Sequence, residues 1–221
     1  MNSRIALVTG ASRGIGSAIS KLLAAQHYTM VTPSREEMDL LSNDSIDHYM
    51  NNISQVDVLI NNAGINPLGE IHQLQETNVE MTFQTNILAP MRLTQWVLPM
   101  MKERKFGRIV NISSIWGGKA KAGRGLYSTT KSALNAWTQS LAIEVASENI
   151  MVNAVAPGFV ETEMTNKNNS EEDLEKITRL LPIKRLAQPE EIAEVVSFLV
   201  AENNTYLTGQ IIYVDGGFSC I

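Results

Sequence analysis

Apolar residues along this chain fall into short runs, and between the runs they recur every three or four positions. RIALVT (4–9) is a strand-length apolar run closed by Gly10, the pattern of a parallel strand buried on both faces. A glycine-rich turn follows, TGASRGIG (9–16), and then IGSAISKLLAAQ with helical spacing. YTMVT (28–32), VDVLINNAG (56–64), GRIVNISS (107–114), MVNAVAPGFVET (151–162) and QIIYVDGG (210–217) read as further strands running into turns. Helices are expected at about 45–53, with Ser42 or Asp44 as N-cap, over 77–105, from 127 onward, near 171–180, and from Pro189. Strands alternating with helices predict an α/β protein: a single-domain Rossmann fold, a doubly wound, mostly parallel sheet with helices on both faces.

Two stretches depart from that plan. Only 23 residues separate Thr32 from Val56, where a doubly wound dinucleotide fold places another helix and strand. The expectation is a fold shortened after strand two, with that helix lost and strand three reduced to a few residues near Met38–Leu40. Within 77–105, Pro90 lies four residues after Asn86; it withholds a hydrogen bond from the Asn86 carbonyl and favours a kink there. Residues 163–188 are polar and irregular, as a lid would be, so one domain over 1–221 with a substrate lid at about 160–188 is expected.

Composition narrows the function classes. A net charge of −5 gives no sign of nucleic acid or an anionic membrane surface as partner. No apolar stretch is long enough to span a bilayer, and MNSRIALVTG runs straight into a strand pattern with no signal peptide. The one cysteine, Cys220, cannot form an internal disulfide. A cytoplasmic protein without a metal site is expected.

The candidate chemistry lies in SIWGGKAKAGRGLYSTTK (114–131). Tyr127 and Lys131 are four apart and share a helix face. A free tyrosine, with a pKa of about 10, is a poor acid–base group at neutral pH; a neighbouring ammonium favours its phenolate. A hydroxyl such as Ser114 can hold a carbonyl oxygen while the tyrosine gives or takes a proton. The glycine turn, between a strand and a helix, suits a pyrophosphate at a helix N-terminus. Arg13 and Arg35 favour a 2′-phosphate and hence NADP(H) over NAD(H), whereas Glu36 and Glu37 stand near the spacing of an acid that holds a ribose 2′-hydroxyl.

With these pieces in order, the chain resembles a short-chain dehydrogenase/reductase over almost its whole length, and is most similar to the 3-oxoacyl-(acyl-carrier-protein) reductases. The matching motifs are TGASRGIG, NNAG at 61–64, Asn86, NISS ending at Ser114, YSTTK at 127–131, APG at 156–158 with Val160 and Thr162, and YVDGG at 213–217. Ser114 and Tyr127 are 13 apart, as in that branch.

The resemblance implies a role for each matched residue. Tyr127 is the acid–base group, Lys131 binds the nicotinamide ribose and lowers the tyrosine pKa, Ser114 holds the substrate oxygen, and Asn86 holds a water in a proton relay. Ser113 is the rival serine, but the family pattern of serine, two residues and glycine selects Ser114 with Gly117. Gly10, Ser12, Arg13, Gly14, Ile15 and Gly16 cradle the phosphates. Asp39 and Leu40 lie near the adenine, Asn62 reaches the adenosine ribose beside Ala63 and Gly64, and Val160 meets the carboxamide, with Pro157, Gly158 and Thr162 around it. The implied substrate is a carbonyl compound, a small molecule or a 3-oxoacyl thioester carried by an acyl carrier protein. The basic residues expected around the site for such a carrier are only half met: Lys105 fits, but Glu148 stands where an arginine is expected. A homotetramer or homodimer is implied, with Trp96 and Trp137 as core or interface residues. A small ketone, secondary alcohol or sugar derivative is the alternative substrate, and a cofactor-binding regulator without catalysis the alternative function.

Overall fold

β-branched and other apolar runs pair side by side as parallel strands in a computed structural model that describes residues 3–221. Strand β1 (Ile5–Val8) feeds helix α1 (Gly14–Ala25). Strand β2 (Thr29–Val31) lies beside β1. The chain then crosses back through α2 (Asn43–Met50) to β3 (Val58–Asn61) on the other side of β1. Helices α3 (Glu76–Phe83) and α4 (Ala89–Arg104) lead to β4 (Gly107–Ile112). Helix α5 (Gly125–Val145) leads to β5 (Ile150–Pro157). Helices α6 (Glu163–Lys167), α7 (Glu171–Leu180) and α8 (Pro189–Val200) precede β6 (Ile211–Val214).

The six-stranded sheet runs β2-β1-β3-β4-β5-β6 with every neighbouring pair parallel. Alternation along each strand sorts its side chains to two faces. Ala6, Val8, Val58 and Ile60 pack with Ile19, Leu23, Ile192 and Val196 of α1 and α8. Leu7, Leu59 and Ile109 pack with residues of α2, α4 and α5. The connections from β1 and β3 leave in opposite directions, which opens a crevice at the carboxyl ends of the strands.

No strand forms near Met38–Leu40, contrary to the expectation from spacing. Local partners consume the backbone donors of this stretch: Met38 N–H donates to the Ser34 carbonyl at 3.0 Å, Ser34 N–H to Glu37 Oε2 at 2.8 Å, and Asp39 N–H to Ser45 Oγ at 2.9 Å. The Met38 side chain is buried among Ile46, Met50 and Leu59. A backbone tied up in turns cannot extend the ladder, so β2 is the edge of the sheet. No helix forms between β2 and Met38, as expected. Of the two candidate caps for α2, Ser42 serves: its Oγ accepts Ser45 N–H at 3.2 Å.

The single helix expected over 77–105 is interrupted. Residues Gln84–Leu88 form a π turn in which Ala89 N–H reaches the Gln84 carbonyl, five residues back. Pro90 has no N–H to offer Asn86, and a π turn is one form that such an interruption takes. Among the described residues no helix is long and apolar enough to cross a membrane.

Candidate active site

The π turn, the ends of β3 and β4, and the first half of α5 converge at the crevice. Tyr127 and Lys131 are both buried on α5, one turn apart. Lys131 Nζ donates to the Ile112 carbonyl at the end of β4 at 2.7 Å and lies 5.6 Å from the centroid of the Tyr127 ring. Gly64 sits between them and the π turn: a Cβ there would stand 3.3 Å from Asn86 Oδ1 and 3.6 Å from Lys131 Nζ. Asn86 is fully engaged through its amide. Its Oδ1 accepts Ile65 N–H at 2.9 Å, and its Nδ2 donates to the Ile65 carbonyl and to Thr130 Oγ1, each at 3.0 Å.

Burial moves both titrating groups, which corrects the expected lowering of the tyrosine pKa by Lys131. Desolvation pushes the Tyr127 phenol up to about 12; the Ser114 hydrogen bond and then the Arg124 charge pull it down, and burial wins. Desolvation also pushes Lys131 down to about 8. Both groups lose water in the same dry wall, and the ammonium spends a donor on the Ile112 carbonyl.

The two serines at the end of β4 separate cleanly. Ser114 lines the cavity with Tyr127, where its hydroxyl works against the rise of the phenol pKa, and its Oγ accepts Trp116 N–H at 3.2 Å. Ser113 turns the other way, with its Oγ 2.6 Å from Asn135 Oδ1. Gly117 completes the turn because a Cβ there would fall 2.8 Å from Asn135 Nδ2 and 3.0 Å from the Lys131 carbonyl.

The glycine loop has the form of a phosphate cradle. Gly10 and Gly14 have φ of +66° and +53°. Arg13, at the N-cap of α1, makes no side-chain cap, so the first-turn N–H groups around Gly14, Ile15 and Gly16 remain for an anion, as does the positive end of the helix dipole. Asn62 braces this loop: its Nδ2 donates to the carbonyls of Thr9 and Gly10 at 2.9 and 3.0 Å. Thr9 Oγ1 accepts the N–H groups of Asn62 and Ala63, each at 3.0 Å.

Gly14 also faces Thr162, whose Cγ2 would lie 3.3 Å from an added Cβ; Thr162 caps α6 by accepting Thr165 N–H at 3.3 Å. Val160 bridges Ala187 through its neighbours' backbone groups, which turns its own N–H and C=O away from that bridge. Gly158, after Pro157, packs on Asp215, whose Cβ would be 2.8 Å from a Cβ at Gly158.

The exposed charges carry partners. Arg13 pairs with Glu163 at 2.8 Å and Arg35 with Asp39 at 3.7 Å. Asp39 Oδ1 also accepts Leu41 N–H at 3.0 Å, and the Leu40 carbonyl accepts Gln84 Nε2 at 3.1 Å. Lys105 pairs with Glu148.

A cavity opens beside Tyr127 and Ser114, walled by Trp116, Phe159, Met164, Asn66 and Arg124 among others. Trp116, Phe159 and Phe218 meet edge to face, with centroids 5.6–6.1 Å apart. Arg124 was missed by the motif reading. Its signal was its place three residues before Tyr127, at the N-cap of the same helix.

A family model described as enoyl-(acyl carrier protein) reductase matches residues 36–219. The chain is 37% identical to the 3-oxoacyl-(acyl-carrier-protein) reductase of Aquifex aeolicus, covering 98% of each. It is 35% identical to the acetoacetyl-CoA reductase of Cupriavidus necator, again covering 98% of each. A gluconate 5-dehydrogenase from Burkholderia cenocepacia, solved in complex with NADP and tartrate, superposes with a TM-score of 0.93 at 25% identity, covering 100% of this chain and 97% of that one. With the parallel sheet, the glycine cradle and these full-length relatives, the chain belongs to the short-chain dehydrogenase/reductase family, oxidoreductases that act on CH–OH and C=O groups.

Proposed function

We propose that this protein is an NADPH-dependent carbonyl reductase and that its substrate is a 3-oxoacyl thioester. The observation that carries the proposal is the meeting of Ser114 and Tyr127 on one cavity wall with Lys131 buried behind them. Held by the glycine loop, a bound nicotinamide cofactor would supply a hydride for the carbonyl carbon. Tyr127, protonated at neutral pH, gives its proton to the carbonyl oxygen, and the Ser114 hydroxyl holds that oxygen. Lys131 supplies positive charge beside the phenolate left behind. Asn86 holds the π turn against Ile65, and its backbone carbonyl, deprived of a proline N–H, is where a water of the proton relay would sit.

On the cofactor side, Gly10, Ser12, Arg13, Gly14, Ile15 and Gly16 are assigned to the phosphates. Asn62, Ala63 and Gly64 form the adjoining wall, and Val160 offers its backbone to the carboxamide. Arg13 and Arg35 favour the 2′-phosphate: exposed ion pairs are weak, and a phosphate dianion displaces Glu163 and Asp39. Glu37 competes poorly for a ribose, since its carboxylate is held by Ser34. Residues of α6 wall the cavity, which supports a lid over about 160–188. The Lys105–Glu148 pair cancels charge that an acidic carrier would seek, so the thioester itself, rather than the carrier, is the recognised part. Exposed Leu88 and Ile143 support assembly into a homodimer or homotetramer. The lone cysteine fits a cytoplasmic setting.

The test is the initial rate of cofactor oxidation with acetoacetyl-CoA, with NADPH and NADH in parallel. Turnover favouring NADPH by at least about tenfold is expected from a charge-assisted phosphate contact. NADH preference would move the weight to Glu36. A second reading, a sugar-derived ketone, is favoured by the Burkholderia relative, and turnover of such ketones alone would establish it. Tight NADP(H) binding without turnover of any carbonyl would leave a regulator.

The serines give a paired prediction. Ser114→Ala should lower kcat about 10²-fold, the usual cost of an oxyanion donor. Ser113→Ala should instead cost about 1–3 kcal/mol of stability, by leaving the buried Asn135 Oδ1 without its donor. Steady-state rates and thermal melts of both variants separate the two.

A further inference from the structure

Arg124 is a group that the reduction itself does not use. It opens α5, is 6% exposed, and lines the cavity beside Tyr127 and Ser114. Among the described residues its guanidinium has no carboxylate partner and no hydrogen-bond acceptor; its titratable neighbour is the Tyr127 phenol, neutral at neutral pH, and its Cζ lies 5.9 Å from the Trp116 ring centroid. No acidic side chain walls the cavity. Arg108, also deeply buried, shows how this fold satisfies an arginine whose task is structural. Its donors go to the carbonyls of Gly107, Asn149 and Asn204 at 2.8–3.0 Å.

A guanidinium stays charged, and one that opens only onto this cavity without a counter-charge bears a desolvation cost. A ligand that brings the counter-charge removes that cost. The guanidinium fork matches a carboxylate with two parallel hydrogen bonds. A second orphan stands on the same wall: Asn66 Oδ1 is buried without a partner and can accept a hydroxyl.

We propose that Arg124 binds a carboxylate of the substrate, so that this protein reduces small oxo acids whose carboxylate lies close to the reducible ketone. The inference rests on the carbonyl-reductase reading of the site and adds to it a second substrate class, beside the 3-oxoacyl thioester. The reaction is unchanged: a hydride from NADPH adds to the ketone carbon, a proton adds to its oxygen, and NADP⁺ leaves. A thioester or ester offers the same fork only a neutral oxygen, so the comparison of acid with ester measures what the charge adds.

The experiment compares acetoacetate and levulinate with their ethyl esters, using NADPH, for the wild type, Arg124→Gln and Arg124→Lys. The wild type should favour at least one acid over its ester. Arg124→Gln should lower that acid-to-ester ratio of kcat/KM by about thirtyfold, the scale of a charge-assisted contact, mainly through KM; Arg124→Lys should fall between. In parallel, saturating acid should raise the melting temperature of the wild type in the presence of NADP⁺ and not that of Arg124→Gln, a readout independent of turnover. Esters favoured by the wild type, or a ratio that Arg124→Gln leaves unchanged, would overturn the proposal. An acid-dependent rise abolished in Arg124→Gln, without turnover of any acid or ester, would keep the carboxylate site and remove the reductase reading. No turnover and no such rise would remove both.

Discussion

Tyr127→Phe is expected to lower kcat for ketone reduction by about 10²–10⁴-fold, the range for loss of a positioned acid, while NADPH binding stays intact. The substitution deletes one oxygen. The ring remains packed with Trp116, Phe159, Ile177 and Leu181, and the glycine cradle belongs to β1 and α1, so the fold has no reason to change. Stopped-flow NADPH oxidation gives the rate, and quenching of NADPH fluorescence gives the affinity. A variant with a rate within about tenfold of the wild type would remove Tyr127 from the proton-transfer role, since a positioned acid contributes more than that.

The pH profile follows from the same pair. The phenol, at about 12, keeps its proton through neutral pH, so reduction does not wait on it. Lys131, at about 8, is charged below that value and neutral above it. Reduction should therefore be level through neutral pH and fall above about 8. Alcohol oxidation, which needs the phenolate as base, should rise with pH instead. Lys131→Met should remove the alkaline fall along with most of the rate; a fall that persists unchanged would assign it to another group.

Gly16→Ala is expected to be the most damaging single change on the cofactor side. A Cβ at Gly16 would stand 2.3 Å from the Gly10 carbonyl oxygen and 2.4 Å from Asn62 Nδ2. The first is backbone, and the second is the amide that braces the loop. Neither can move without opening the cradle or lifting α1 from β1. Overpacking of this kind costs about 1–3 kcal/mol of stability, and a displacement of about 1 Å at a binding loop costs about a hundredfold in function. Thermal melts and an NADPH titration should show both losses. Wild-type NADPH affinity in the variant would show that the first turn of α1 does not form the cradle.

Much of this protein is legible one segment at a time. The runs of Ile, Leu and Val, with alternation in the strands and a three-to-four spacing in the helices, determine which face each element buries, because these periods are local properties of the backbone. TGASRGIG marks a strand, a turn and a helix start; the spacings from Ser114 to Gly117 and from Tyr127 to Lys131 mark one turn and one helix face. The all-parallel sheet follows, since each strand is returned to its neighbour by a helix.

Other features depend on residues distant in the chain, and only the tertiary structure decided them. Met38 looked like part of a strand and became a core plug, because Ser34, Glu37 and Ser45 took up the hydrogen bonds around it. Lys131 looked like a charge that would lower the Tyr127 pKa, but burial, set by everything packed around α5, raises it. Lys105 and Glu148 looked like independent surface charges and are partners across two connections of the sheet. Arg124 carried no motif, and only the assembled cavity revealed a guanidinium without a counter-charge. Sequence by itself determined most of the elements and their faces, and the resemblance it carries implied that Ser114 meets Tyr127. Tertiary structure decided which polar groups find partners and which are left to a ligand, because desolvation and pairing depend on the whole surrounding volume and leave no periodic trace in the chain.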